Sequence, residues 1–275
     1  MSKKKTKLCK KQNQRIKTIV LATGLLICCC IAITLLFTLN KDFYEIDSRV
    51  NEIKKEKKND KDGFETIAWL KVQGTTIDAP IVGYKDNNAF QTIDKENFLW
   101  NFVKDKKLYN QVSISGHNIL NLSKQPKIGM KYFSRFDDLM AFIYEDFAKE
   151  NKYIQYTING KDYLYKIFGV FFEKEYNLDL YHEGNYTKKE SNDYIKQVKE
   201  SSIYNYDVEV DETDNIITLS TCTRFFEGTK KQFVVVGRML REKENVNNYD
   251  VEANDKYKEI EEIMKGDDND EKTEV

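Results

Sequence analysis

Ile216-Ile-Thr-Leu-Ser-Thr-Cys-Thr-Arg224 is the stretch on which the reading of this 275-residue chain turns. Apolar and β-branched residues dominate as far as Thr221, as in a buried strand, and the run then presents Cys222. A strand end is a rigid place from which to offer a nucleophile to a cleft. Cysteine attacks as the thiolate, and with an ordinary pKa of about 8.5 it needs an imidazole or a cation close by to react at neutral pH. Two histidines are available. His117 follows a glycine where a short strand, Val112–Ser115, hands over to a loop, whereas His182 lies in the polar stretch Asp179–Asn185 and reads as a solvated surface residue. His117 precedes Cys222 by 105 positions, so the two meet only through the fold. A β-barrel brings strand ends from distant parts of a chain onto one rim. The plain alternative for a single thiol is a small buried hydrophobe.

Outward from this stretch the texture stays β-like. Phe233–Leu240 is a second apolar strand downstream, and Tyr153–Ile158 and Tyr163–Glu173 flank Asn159-Gly160, the strongest hairpin signal in the chain. Ile67–Val72 and Ile77–Tyr84 form an earlier pair, with Pro80 suited to an edge or irregular position. Helical periodicity interrupts the strands at about Arg135–Lys149 and at Lys188–Ser201, the latter behind a capping Thr187. The expected fold is mainly β, a closed barrel of about eight strands with peripheral helices.

The flanks carry different information. Residues 1–17 hold eight basic side chains and no acid, and residues 18–39 form an uncharged, apolar run of 22 residues. As a helix that run is roughly 33 Å long, enough to cross a bilayer. The basic flank stays cytoplasmic by the positive-inside rule, so everything after the span is translocated. The run is too long for a cleaved signal peptide and ends without a small-residue cleavage pattern; a lipoprotein signal would need a small residue where Ile27 precedes Cys28. The expected organisation is a cytoplasmic tail (1–17), a transmembrane signal anchor (18–39), a helical stalk (40–62), a catalytic domain (63–241) and an acidic, disordered tail (242–275) with weak helical periodicity around Tyr257–Met264. That tail has 13 acids against 5 bases, a net charge of −8.

Beyond residue 40 the chain has a single cysteine, so no disulfide framework is possible there. Near-balanced net charge excludes a nucleic-acid binder of the basic-patch kind. No metal-ligand spacing and no glycine-rich phosphate loop occur, so neither metal nor cofactor is expected.

Five segments, in order, resemble sortases, and class B members most. These are Trp69–Val82, Gly116-His117-Asn118, Phe136-Asp-Asp-Leu139, Tyr165–Val170, and Thr218–Thr223 followed by Phe233–Arg238. The resemblance covers about residues 64–241 and implies a membrane-anchored cysteine transpeptidase of Gram-positive bacteria. Cys222 would attack a threonine carbonyl in the C-terminal sorting motif of a secreted protein, and His117 would protonate the departing amine. The thioacyl enzyme would then pass the protein to a peptidoglycan-precursor amine.

The match departs from the family at three places. Sortases carry an arginine at the start of the last strand, and Gln232 occupies that position here; losing one oxyanion donor costs roughly 2.7–4 kcal/mol in activation free energy. Arg224, Lys230 or Lys231 could supply the charge instead, whereas Arg238 is six residues along the strand, about 20 Å away. Glu96–Asn110 and Asn118–Pro126 also differ from the family pattern beside the expected cleft. A sortase-like protein that binds sorting signals or wall components with little transfer is the alternative that Gln232 raises. An L,D-transpeptidase would have a glycine before its cysteine, with the histidine close by in sequence. A pilus-assembling class C enzyme would show a lid-like segment.

Overall fold

The structure, a computed structural model, describes residues 64–84, 99–101, 106–118, 121, 123–129, 136–174, 184–226 and 231–270. The expected membrane anchor, the stalk, His182 and Lys230 lie outside these residues. Among the described residues no helix is long and apolar enough to cross a membrane.

Among the described residues the strands are β1 (Phe64–Val72), β2 (Asp78–Tyr84), β3 (Leu99–Asn101), β4 (Gln111–Ser115), β5 (Tyr153–Ile158), β6 (Lys161–Lys174), β7 (Tyr204–Tyr206), β8 (Ile216–Thr223), β9 (Lys231–Met239) and β10 (Val251–Ala253). Eight of them close a barrel in the order β1-β2-β3-β4-β8-β9-β6-β5, with β5 pairing back onto β1, and β7 and β10 form a separate two-stranded sheet. The expected mainly β barrel is what the chain builds. Among the described strands, β2–β3 and β4–β8 are the parallel pairs. The second of these pairs places the site.

Local sequence accounts for the joints. Asn159 and Gly160 both have positive φ, 52° and 74°, the backbone of a type I′ turn whose twist matches that of β5 and β6. Pro80 pairs with Trp69 of β1 but lies just beyond the end of β3, whose pairing starts at Ile81, so its missing N–H interrupts no ladder on that side. The first helical region is a 3₁₀ turn, Asp137–Ile143, followed by the short helix α1 (Glu145–Glu150). Helix α2 (Lys188–Ser201) starts with a capping box: the Thr187 hydroxyl accepts from the Glu190 backbone N–H while the Glu190 carboxylate accepts from Thr187 N. α2 lies so close to β6 that a Cβ on Gly169 would come 2.3 Å from Val198 Cγ1, so only glycine permits this approach. The core includes Leu70, Ile81, Ile114, Val170, Phe171, Ile217, Leu219 and Val235, all fully buried. Each such side chain contributes roughly 1.5–3 kcal/mol by leaving water.

The C-terminal segment corrects an expectation. Instead of a disordered tail from residue 242, the chain forms β10 and helix α3 (Asp255–Asp270). Tyr249, Val251, Tyr257, Ile260 and Met264 are buried, and Tyr204 stacks at 5.2 Å on Tyr257. The acidic composition masked a sparse apolar stripe that has a partner. Polar ties reinforce it: Asn254 Nδ2 donates to Ser202 O, and Lys152 Nζ donates to Tyr249 O. At the start of the segment Glu244 takes both Arg238, in a bidentate pair, and Lys166 at 2.7 Å. The two cations are almost fully buried, and the Arg238 guanidinium, followed by the Lys166 ammonium, holds the Glu244 carboxyl well below the usual carboxylate range.

Candidate active site

The 105-residue separation of His117 and Cys222 is a strand register. In the parallel pair β4–β8, Gln111 lies beside Ile216, Ser113 beside Thr218 and Ser115 beside Ser220, each pair 105 apart. The pairing continues past the end of β4: Gly116 N donates to Ser220 O at 3.3 Å, and Thr221 Oγ1 donates to Gly116 O at 2.7 Å. Cys222 lies two residues beyond Ser220 on the same face of β8, and His117 follows Gly116 in the chain that leaves β4.

On its other side Cys222 pairs with Gln232 of β9, and Gln232 pairs in turn with Glu173 of β6. Three adjacent strands therefore set Cys222, Gln232 and Glu173 in one row, and His117 lies in the chain just past the end of the neighbouring β4. Directly opposed residues on an antiparallel pair have Cβ atoms about 4.5–5.5 Å apart, so the Gln232 carboxamide borders the thiol. Cys222 is exposed and in no disulfide, His117 is half-buried and Gln232 is buried. Gln197 of α2 donates to Glu173 Oε2 at 3.3 Å.

Below the row the same face of β4 and β8 is polar and buried. Ser115 and Ser220 share a hydroxyl hydrogen bond of 2.8 Å, Gln111 Nε2 donates to Thr218 Oγ1 at 2.9 Å, and the Tyr194 hydroxyl of α2 lies 2.6 Å from Thr218 Oγ1. Burial pushes the Tyr194 phenol up, so it stays a neutral partner. The opposite face of the strand ends is aromatic. Phe225, Phe226 and Phe233 surround Phe172, with ring centroids 4.9–5.3 Å away, and fix the chain just after Cys222. A thiol on a strand end is thus held by a hydroxyl ladder on its own face and a phenylalanine cluster on the other.

The other cations considered from sequence fall out differently. Lys231 pairs with Thr223, on the face away from Cys222, and its ammonium sits 3.7 Å from the Phe226 ring centroid. Arg238 is committed to Glu244. Arg224 is exposed in the chain directly after β8. Sequence reasoning missed Glu173 and the hydroxyl ladder, although Gln111, Ser113, Ser115 and His117 on one strand, and Thr218, Ser220 and Cys222 on the other, form period-2 polar stripes in otherwise apolar strands. Among the described residues no group of acids, histidines and cysteines could hold a metal ion.

A Sortase domain family model matches residues 70–240, more than half of the chain. The chain belongs to the sortase family. Sortase B of Listeria monocytogenes is 29% identical over 184 residues, 63% of this chain and 69% of that protein, and sortase B of Staphylococcus aureus is 23% identical over 184 residues, 64% and 70% of the two chains. A crystal structure of Clostridium perfringens sortase B superposes with a TM-score of 0.53 at 25% identity, covering 68% of this chain and all of that one. This is a class B sortase, a cysteine transpeptidase of the kind that anchors proteins to the cell wall. β10 and α3 lie outside the matched residues.

Proposed function

We propose that Cys222 is the nucleophile and His117 its acid/base partner, because the 105-residue offset that pairs β4 with β8 also relates these two positions just beyond the last pair. The Cys222 thiolate attacks the carbonyl carbon of a threonine in the C-terminal sorting motif of a secreted protein. A carbon–sulfur bond forms, the peptide C–N bond breaks, and His117 gives its proton to the departing amine. His117 then accepts a proton from a peptidoglycan-precursor amine as that nitrogen attacks the thioester and releases the thiolate. A thioester suits this role because it stays reactive toward amines, and capture by an amine makes the outcome transfer instead of proteolysis.

Gln232 offers amide hydrogens beside the thiol where an arginine would offer charge, so it serves as a neutral donor to the carbonyl oxygen as negative charge develops there. Residues 18–39 anchor the chain in the membrane with residues 1–17 inside, and the domain from residue 63 faces the cell wall. The acidic segment from residue 242 is part of that exported unit.

The test is turnover of a fluorogenic sorting peptide with an amine acceptor, using the full-length chain. Cys222→Ala and His117→Ala are each expected to abolish transfer while the thermal unfolding midpoint stays put. Wild-type chain quenched in acid should carry the acyl fragment on Cys222. Transfer by Cys222→Ala would overturn the assignment. Protease added to intact cells should remove the domain and spare the N-terminal tail; a protected domain would refute the orientation.

A further inference from the structure

The loop that leaves the site at His117 and returns at Phe136 is closed by one side chain. Asn121 is 1% exposed and uses its carboxamide fully: Oδ1 accepts from Lys127 N at 2.6 Å, while Nδ2 donates to Lys127 O at 2.7 Å and to Asp137 O at 2.9 Å. Its backbone is tied as tightly to the neighbour of His117. Asn121 N donates to Asn118 Oδ1 and Asn118 Nδ2 donates to Asn121 O, both at 3.0 Å. At the neck of the loop Phe136 N donates to His117 O at 3.2 Å. The outgoing strand end, the middle of the loop and the incoming 3₁₀ turn therefore meet at Asn121.

We propose that Asn121 is a positioning residue for the sortase reaction. Through Asn118 it fixes the backbone on which His117 stands, and so keeps the imidazole level with Cys222. His117 is two residues beyond the last ladder pair, Ser115 with Ser220. Without a clamp that position is free to fray. Two further contacts steady the far side of the loop: the Tyr144 hydroxyl donates to Pro126 O at 2.7 Å, and Gln125 Nε2 donates to Met264 O of α3 at 3.0 Å. The inference rests on His117 being the acid/base group. If His117→Ala keeps full activity that assignment fails first, whatever Asn121 does.

The experiment compares the full-length chain with Asn121→Ala, Asn118→Ala and Tyr144→Phe, measuring kcat, KM for the sorting peptide, the pH–rate profile and the unfolding midpoint. A misplacement of a catalytic group by about 1 Å costs up to roughly a hundredfold, so kcat in Asn121→Ala should fall between about ten- and a hundredfold with KM changed less than about threefold. The limb of the pH profile that depends on the histidine should move. Tyr144→Phe removes a bond on the side of the loop away from His117 and should lower the midpoint with kcat unchanged. Asn118→Ala cuts only the link between Asn121 and the residue after His117, and should reproduce the loss of kcat even if Asn121→Ala does not fold. Unchanged kcat in Asn118→Ala, or an equal loss in Tyr144→Phe, would overturn the proposal.

Discussion

The two ends of β9 treat charge in opposite ways. At the site end Gln232 is neutral, buried, and set between an exposed thiol and Glu173. Six residues on, Arg238 is a buried cation gripped by Glu244, with Lys166 on the same carboxylate. Neither end is a generic strand position. The far end spends a strong charge on fastening the C-terminal segment to the barrel, and there a fixed ion pair is useful because nothing needs to enter or leave. The site end keeps hydrogen-bonding capacity without a fixed charge, so the charge that matters is the one that develops on the substrate. Stability and chemistry are separated along a single strand.

The largest effect that could break this comparison is at the fastening. Glu244→Gln leaves two buried cations without their carboxylate. Removing one partner of a buried pair costs roughly 3–5 kcal/mol, and because Glu244 keeps 25% of its side chain exposed, the lower end is expected. The urea midpoint should fall accordingly while kcat per folded molecule stays near wild type; a loss of kcat without a loss of stability would erase the division between the two ends.

Acid should act at the same place. The folded Glu244 carboxyl is held low, so the unfolded chain binds its proton first as pH falls below about 4.3. Its contribution is fully present above that value and drains away as pH drops further. Denaturant midpoints measured from pH 7 down to pH 3 should fall in the wild type, and fall less steeply in Glu244→Gln; identical slopes would contradict the ion-pair account.

The smallest effect is expected at the site end. Gln232→Arg supplies the family's charge, but Glu173 lies in the next strand at the same level and will compete for the guanidinium. A change in kcat/KM within about tenfold is expected, growing when Glu173→Gln is added. A hundredfold gain from Gln232→Arg alone would mean that the neutral donor is a defect and that the two ends differ by accident.

Much of this was legible in the sequence where local rules dominate. Asn159-Gly160 announced its hairpin, Thr187 its helix start, and the apolar run from Ile216 its strand. Gln232 was read as the residue in the arginine's position, and the barrel sets it in register with Cys222. The three-residue strands β3, β7 and β10 were missed because a segment that short has too little periodicity to stand out, and tertiary pairing alone creates it. The C-terminal segment was misread for a different reason: its charge density resembles disorder and outweighed the weak helical periodicity around Tyr257–Met264, while Tyr249 and Val251 stand apart from that stripe. Glu173 and Asn121 are ordinary polar residues until the barrel sets one beside Gln232 and the other inside a loop.

The parallel register of β4 and β8 also governs how this chain can lengthen over evolutionary time. Between His117 and Cys222 the polypeptide can gain or lose residues in loops that make no contact with the site, and the pair is indifferent to the count. A single residue deleted within Gln111–Ser115, however, shifts that strand by one step against β8, and because side chains alternate faces the imidazole would turn to the aromatic side while the thiol stayed on the polar one. The separation of 105 is therefore incidental, and the phase is not: the paired strands are closed to insertion and deletion, and the loops away from the site are open to both.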